Sequence, residues 1–344
     1  MKAAFIYGAR DVRLESIDKP SVGNGEILVK VHVCGICGTD VHTYKLGDPS
    51  LAQNPIIPGH EFSGEIVEMG ARVQGVKVGD RVVGTGYRNC GKCYWCSQGH
   101  PEKCPNPLVP GEGLPGAMAE YVIVPNPMVG RTLFTIPEGM GWDEAATIEP
   151  MSVSCFAVRR ARIEKGEVVV VLGAGMIGQG VAQACKAVGA ARVIVSEPSA
   201  TRRELAKRLG ADVVLNPAET DPVEAVREAS GGEMASVVFE CSGAPIAFHQ
   251  APLLVQPFGR IIQVAIYEKP LELSPAEVKL MFQFRNLTLR GSGGQRWDMA
   301  LELMRESRVK TEQLITHVFP LDRVKEAFEA QAGSAEAIKV LVKP

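Results

Sequence analysis

Between Cys34 and Glu61 the chain gathers the side chains that metal and proton chemistry require: Cys34, Cys37, Thr39, Asp40 and His42, then Gly59, His60 and Glu61. A zinc ion asks for a thiolate, a neutral imidazole and usually an anionic oxygen, converging from different elements because adjacent residues cannot all face one ion. Cys37 and His60 meet that need. Thr39 and His42 add a hydroxyl and an imidazole, the latter the side chain that ordinarily changes charge near neutrality. Plainer explanations exist for each. Free cysteine is among the most buried residue types, a lone histidine near Gly and Pro often only satisfies a turn, and Thr and Asp favour helix starts. Two later segments shift the balance.

The first is Cys90, Cys93 and Cys96, with Cys104 after seven further residues. Four thiols at this spacing, in a loop rich in Gly, Pro and Asn, read as a closed tetrahedral zinc site. Such a site fixes a loop too poor in apolar surface to hold itself and leaves no position open for catalysis. Pro105 after Cys104 is reminiscent of an iron–sulfur motif, but a final gap of seven residues argues against that cluster.

The second is Gly173, Gly175 and Gly178. A run of β-branched residues, Val168 to Leu172, leads into these glycines, and Ile177, Val181, Ala184, Cys185 and Val188 recur beyond them at helical spacing. A further strand, Arg192 to Ser196, delivers Glu197, 19 positions after Gly178. A GxGxxG alone is weak; set between strand and helix, with an acidic residue at the end of the next strand, it is a dinucleotide fingerprint. Gly173 permits the turn, Gly175 lets a pyrophosphate approach the backbone, and Gly178 allows close helix packing. Glu197 is expected to accept hydrogen bonds from the adenosine ribose.

These residues need elements to hold them. Short alternating segments broken by Gly, Pro and Asp, such as Ala3 to Tyr7, Val12 to Ile17 and Glu26 to Val33, predict a small barrel of strands over the first 125 residues. Strands at Val213, Val237 to Glu240, Arg260 to Ala265 and Leu287 to Arg290 complete six for a doubly wound parallel sheet. Helices are expected near Asp298 to Glu306 and Leu321 to Ala330, and Ala337 to Val342 reads as a strand returning to the first domain. With 344 residues, 46% of them hydrophobic, the chain can fill two cores. A formal charge of −2 without basic runs gives no reason to expect a nucleic acid or an anionic membrane as partner. The N-terminal stretch lacks the apolar region of a signal peptide, and an odd count of nine cysteines, several of them with two residues between, points to metal in a reducing, cytoplasmic setting.

Together, the segment from Cys37 to His42, the Gly59-to-Glu61 stretch, the Cys90-to-Cys104 lobe and the Gly173-to-Gly178 loop resemble, over essentially the whole chain, the zinc-dependent medium-chain alcohol dehydrogenase family. The resemblance implies an α/β architecture. A GroES-like β-barrel catalytic domain would span 1–152 and 291–344 and carry a structural zinc lobe at 88–106, and a Rossmann domain binding NAD would span 153–290. Cys37 and His60 look like catalytic zinc ligands, Glu61 like the carboxylate that ligates or exchanges with water, and Glu149 stands at the place of a third ligand. Ile148, Glu149 and Pro150 look like the polyol (sorbitol) branch, where a carboxylate replaces a cysteine. By the same resemblance Asp40 would orient His60, and Thr39 and His42 would carry a proton to solvent. Cofactor contacts would include Met176, Ile177, Arg202, Ser242, Val264, Ala265 and Ile266 besides the glycines and Glu197.

The implied function is hydride transfer between NAD(H) and a secondary alcohol or polyol and its ketone, with one catalytic and one structural zinc per chain, in a homotetramer or homodimer. L-Threonine 3-dehydrogenase is the alternative activity, although that branch calls for a histidine soon after Glu149 and none follows until His249. The stretch from Gly291 to Gln295 lacks the arginine and aromatic residue with which some polyol dehydrogenases grip substrate. A zinc-free quinone reductase would lack Cys37, His60 and the cysteine lobe, and a non-catalytic nucleotide-binding relative would have lost the ligands.

Overall fold

A computed structural model describes residues 1–47, 49–85, 88–100 and 103–344. Residues 101 and 102 of the expected lobe lie outside the described residues. The chain divides into two units, Met1–Glu149 with Ile315–Pro344, and Pro150–Leu314.

In the first unit the hub is the strand Glu26–Gly35, whose valines and isoleucine suit a pleated, buried surface. It pairs antiparallel with Glu61–Met69, Tyr121–Pro125 and Lys339–Lys343, within a sheet that is seven-stranded among the described residues. Two of those strands, Ile315–Pro320 and Lys339–Lys343, come from the end of the chain and run parallel to each other, so the barrel is not complete in the first 125 residues. Ile27, Val29, Phe62, Ile66 and Val122 fill its interior, and Tyr44 packs on Phe328 at 5.1 Å between ring centroids. The register sets Gly35 opposite both Glu61 and Leu341, which matters for the site below.

In the second unit six strands, all paired in parallel, lie in the order Val213–Leu215, Arg192–Ser196, Val168–Leu172, Ala235–Glu240, Val255–Gln263, Thr288–Gly291. The order reverses between the third and fourth of these, and ligands of doubly wound sheets bind at the carboxyl ends of strands at that switch point. The helix Met176–Ala187 follows the glycine turn. Its burial is broader but shorter than the expected stripe: every residue from Gly178 to Cys185 is buried, Gln179 and Gln183 included, whereas Ile177 is half-buried and Val188, the C-cap where the helix ends, is 38% exposed.

Two boundaries differ from expectation. Residues 291–314 belong with the second unit, because the helix Trp297–Arg305 buries Trp297, Ala300, Leu303 and Met304 and its flanks are tied there. Arg296 N donates to Ser152 O and Lys310 N to Gln183 Oε1. Residues 150–152 join the same unit as the first turn of the helix Ile148–Ala161. The strand expected to reach Ala265 ends at Gln263, where the chain turns to deliver Val264 and Ala265 to the Glu240 carbonyl.

Candidate metal and dinucleotide sites

Cys37 caps the helix Gly38–Leu46, and Asp40 on its first turn bonds back to the Cys37 N–H at 2.9 Å, the reciprocal arrangement that starts a helix. The other Asp40 oxygen accepts the Gly59 N–H at 3.1 Å. One buried carboxylate thus ties the backbone at Cys37 to the backbone just before His60. Gly59 lies at φ +98, and a Cβ there would come within 2.6 Å of Cys34 Sγ, so the turn that presents His60 demands glycine. Asp40 acts on the His60 ring electrostatically, but no hydrogen bond joins the two. Both carboxylate oxygens are bound to backbone N–H groups, and His60 Nδ1 is buried without a hydrogen-bond partner.

Cys37, His60 and Glu61 converge, each offering a ligand atom within 4.8 Å of the others. Burial pushes the Cys37 and Asp40 groups above their ordinary values. Burial works the other way on His60, but the neighbouring Cys37 sulfur, then Asp40 and Glu149, hold it well above the ordinary imidazole value. The donor set and its surplus of acidic groups fit a dication of borderline softness. Glu149, buried in the first turn of its helix, acts electrostatically on His60 and Lys339 but is not in the three-residue cluster found among the described residues. Thr39 Oγ1 lies 3.8 Å from Cys37 Sγ, and His42, one turn along the same helix, is half-buried.

Lys339 escaped the sequence reading. Its Nζ donates to Glu61 Oε2 at 2.6 Å and to Ile36 O at 3.0 Å, with both side chains almost fully buried. The pair meets over Gly35, where a Cβ would fall 2.4 Å from Glu61 Oε2 and 3.4 Å from Lys339 Cδ. Burial alone would lower the lysine, but Glu61 and Cys37 raise it. The available signal was a charged residue inside the apolar run Ala337 to Val342.

The cysteine lobe is assembled as expected. Cys93 Sγ lies 3.4 Å from Cys96 Sγ and 3.9 Å from Cys104 Sγ, and Cys90 Sγ lies 4.0 Å from Cys96 Sγ. Four sulfurs at ~2.3 Å from a tetrahedral zinc stand ~3.8 Å apart. Backbone N–H groups of Lys92 and Cys93 pull the Cys90 thiol down to about 6, toward the thiolate that a metal requires.

In the second unit, Gly173 takes φ +92 with Ser242 against it: an added Cβ would lie 2.9 Å from Ser242 Cα. Gly178 has its would-be Cβ 1.9 Å from Gly173 O, so the helix can sit this close to the turn only without a side chain there. Nothing lies within 4 Å of a Cβ on Gly175, the N-cap, which faces open space. Glu197 closes the turn from the other side, with Oε2 accepting Ala174 N–H at 2.7 Å and Oε1 accepting Ser199 N–H at 2.9 Å. A cavity of about 570 Å³ opens beside them, lined by Gly173, Gly175, Glu197, Arg202 and Ser242 among others. Met176 is buried, Ile177 and Gly178 lie on the helix behind the turn, and Val264, Ala265 and Ile266 form a neighbouring loop that does not line this cavity.

A thiol–imidazole–carboxylate cluster on a barrel-type unit, joined in one chain to a doubly wound sheet with a glycine turn, defines a metal-assisted, dinucleotide-dependent oxidoreductase. Comparison with known proteins agrees. The alcohol dehydrogenase GroES-like domain matches residues 23–138 and the zinc-binding dehydrogenase domain residues 177–307. L-Threonine 3-dehydrogenase of Pyrococcus abyssi is 38% identical, across 100% of this chain and 98% of its own length. Sorbitol dehydrogenase of Halalkalibacterium halodurans is 35% identical, across 98% and 97%. The crystal structure of 2R,3R-butanediol dehydrogenase from Bacillus subtilis superposes with a TM-score of 0.87 at 32% identity, covering 100% of this chain and 99% of that one. The chain belongs to the zinc-dependent medium-chain dehydrogenase family, in its polyol and threonine dehydrogenase branch, and is an oxidoreductase.

Proposed function

We propose that this enzyme uses NAD to oxidise a secondary alcohol whose neighbouring carbon carries a second polar group, a polyol or vicinal diol, with one catalytic and one structural zinc per chain. The observation that carries the reading is the convergence of Cys37, His60 and Glu61. Zinc bound there supplies Lewis acidity toward the alcohol oxygen, and a bound nicotinamide supplies the hydride acceptor. Cys37 and His60 hold the metal, with Glu61 or Glu149 completing the ligand set, and Asp40 fixes the backbone that presents the first two. Thr39 and His42 take the released proton toward solvent. Threonine, sorbitol and butanediol, the substrates named for the relatives, each carry a heteroatom on the carbon beside a secondary alcohol, which is why that class is chosen. L-Threonine 3-dehydrogenase is the second reading, favoured by the 38% identity. Rates with NAD across polyols, vicinal diols, threonine and simple secondary alcohols test it; a preference for unsubstituted secondary alcohols would overturn the substrate class.

Elemental analysis is expected to give two zinc ions per chain. Cys93→Ala should remove one, leaving the Cys37 site loaded. A parent protein with only one zinc per chain, kept in Cys37→Ala and lost altogether in Cys93→Ala, would mean that Cys37 holds no metal.

NAD is expected to be preferred over its 2′-phosphorylated form by ~100-fold in kcat/KM, since like charges brought together cost several kcal/mol. Glu197 is clamped by two backbone N–H groups and cannot turn aside, and Arg203 is occupied by the Glu197 and Pro198 carbonyls. Equal values with the two cofactors would sink this role.

His42→Gln should slow alcohol oxidation by ~100-fold, the usual worth of general acid–base assistance, whereas a purely structural loss would show as about 1 kcal/mol of stability. Small diffusible bases such as imidazole should restore part of the rate. Full activity in a destabilised variant would make His42 a structural residue.

The cytoplasm is the proposed compartment, because all nine cysteines are free and two thiolate sites need a reducing environment. Among the described residues no helix is long and apolar enough to cross a membrane. A homodimer or homotetramer is proposed on the edge strand Thr288–Gly291, where Leu289 is exposed, as are Phe282 and Phe284 in the segment that precedes the strand.

A further inference from the structure

Glu240 ends the strand Ala235–Glu240, next to the point where the sheet order reverses, and is fully buried. Among the described residues no lysine or arginine is hydrogen-bonded to it; polar groups satisfy it instead. Oε1 accepts the Ser242 N–H at 2.8 Å, the Ser242 hydroxyl at 2.5 Å and the Gly243 N–H at 3.1 Å. Oε2 accepts Gln263 Nε2 at 3.1 Å and the Tyr267 hydroxyl at 2.8 Å. Its main-chain carbonyl accepts the N–H groups of Val264 and Ala265. One residue therefore gathers two loops, 242–244 and 264–267, that leave the ends of neighbouring strands.

Those loops have no slack. Gly243 lies at φ +69, and a Cβ on it would stand 2.8 Å from Ile266 O, so the two loops touch backbone to backbone. On its other side the first loop presses on the glycine turn, as the contact of Ser242 with Gly173 requires. Ser242 and Ala244 line the 570 Å³ cavity together with Gly173 and Gly175. A shift at Glu240 is thus passed to the surface against which a dinucleotide would lie, and such sites lose function when misplaced by about 1 Å.

We propose that Glu240 is a positioning residue for the nicotinamide dinucleotide: its carboxylate locks the two loops to each other and to the glycine turn, and so sets cofactor affinity without touching the cofactor. This rests on the reading of the cavity as the dinucleotide site. Glu240→Gln keeps the shape of the side chain but turns one acceptor into a donor facing groups that themselves donate.

The test is titration of zinc-loaded protein with NADH, followed by fluorescence, together with steady-state kinetics and melting without cofactor. Glu240→Gln is expected to raise Kd for NADH and KM for NAD at least tenfold, with kcat at saturating NAD within threefold of the parent and zinc content unchanged. Folded Glu240→Gln with Kd within twofold of the parent, whatever its melting temperature, would make the residue purely structural and overturn the proposal. Should that variant not fold, Tyr267→Phe decides, because it removes one donor and spares the rest: a threefold rise in Kd supports the lock and an unchanged Kd overturns it. A zinc-loaded parent that binds neither NADH nor NADPH overturns the cofactor reading and this inference together, whereas tight parental binding with an indifferent variant overturns this inference alone.

Discussion

Cys37→Ala is expected to lower kcat/KM for alcohol oxidation by ~1,000-fold or more while leaving the cysteine lobe loaded. A metal acting as Lewis acid contributes several kcal/mol of charge stabilisation, and about 4 kcal/mol corresponds to that factor. Among the described residues the thiol is one of three groups in the 4.8 Å cluster, so a metal there would be left with His60 and Glu61. Melting temperature should change little, because Cys37 is half-buried at a helix end and the Asp40 bond to its N–H uses backbone alone. Zinc content, rate and melting measured on the same preparation check this. A variant with near-parental rate would show that hydride transfer does not depend on a metal at this place.

Lys339→Met is expected to destabilise the first unit by about 3–5 kcal/mol, the usual penalty for removing one partner of a buried ion pair. The lysine and Glu61 side chains are 4% and 2% exposed, so water cannot take over as partner. Adding Glu61→Gln in the same chain should recover much of the loss, since the stranded charge is then gone. Zinc should protect Lys339→Met against urea more than it protects the parent, because a Glu61 released from the ammonium is free to face the metal. A loss below about 1 kcal/mol in Lys339→Met would mean the pair is not the buried charge contact described here.

What could be read from the sequence was local in the chain. Four cysteines within fifteen residues and three glycines within six carry their spacing openly, and the structure places each group together. The six parallel strands were legible for the same reason, as short apolar runs between turn residues. Lys339 was not, because its meaning depends on a partner 278 residues away and on a glycine between them. Asp40 showed the right residue and the wrong bond: acidic side chains at helix starts compete for backbone N–H groups, and here two such groups took both oxygens. The boundary expected at residue 291 failed because an amphipathic helix such as Trp297–Arg305 announces that it has an apolar face without saying which core receives it.

The split of the first unit around the second imposes an order of assembly on the growing polypeptide. Residues 150–314 emerge as one uninterrupted stretch and have every strand of their sheet in hand once they are out. Glu61 must wait for Lys339, 278 residues later, which at ~5–20 residues per second is roughly 15 to 55 seconds of synthesis. Throughout that interval the carboxylate has no ammonium to face, and the Cys34–Gly35 end of the hub strand lacks the partner that Leu341 and Val342 supply. Metal captured early would meet an open, hydrated pocket and exchange freely. A metal held durably at Cys37 would therefore have to wait for the finished chain, whereas the cysteine lobe, whose four thiols leave the ribosome within a few seconds of one another, would be ready for one during translation.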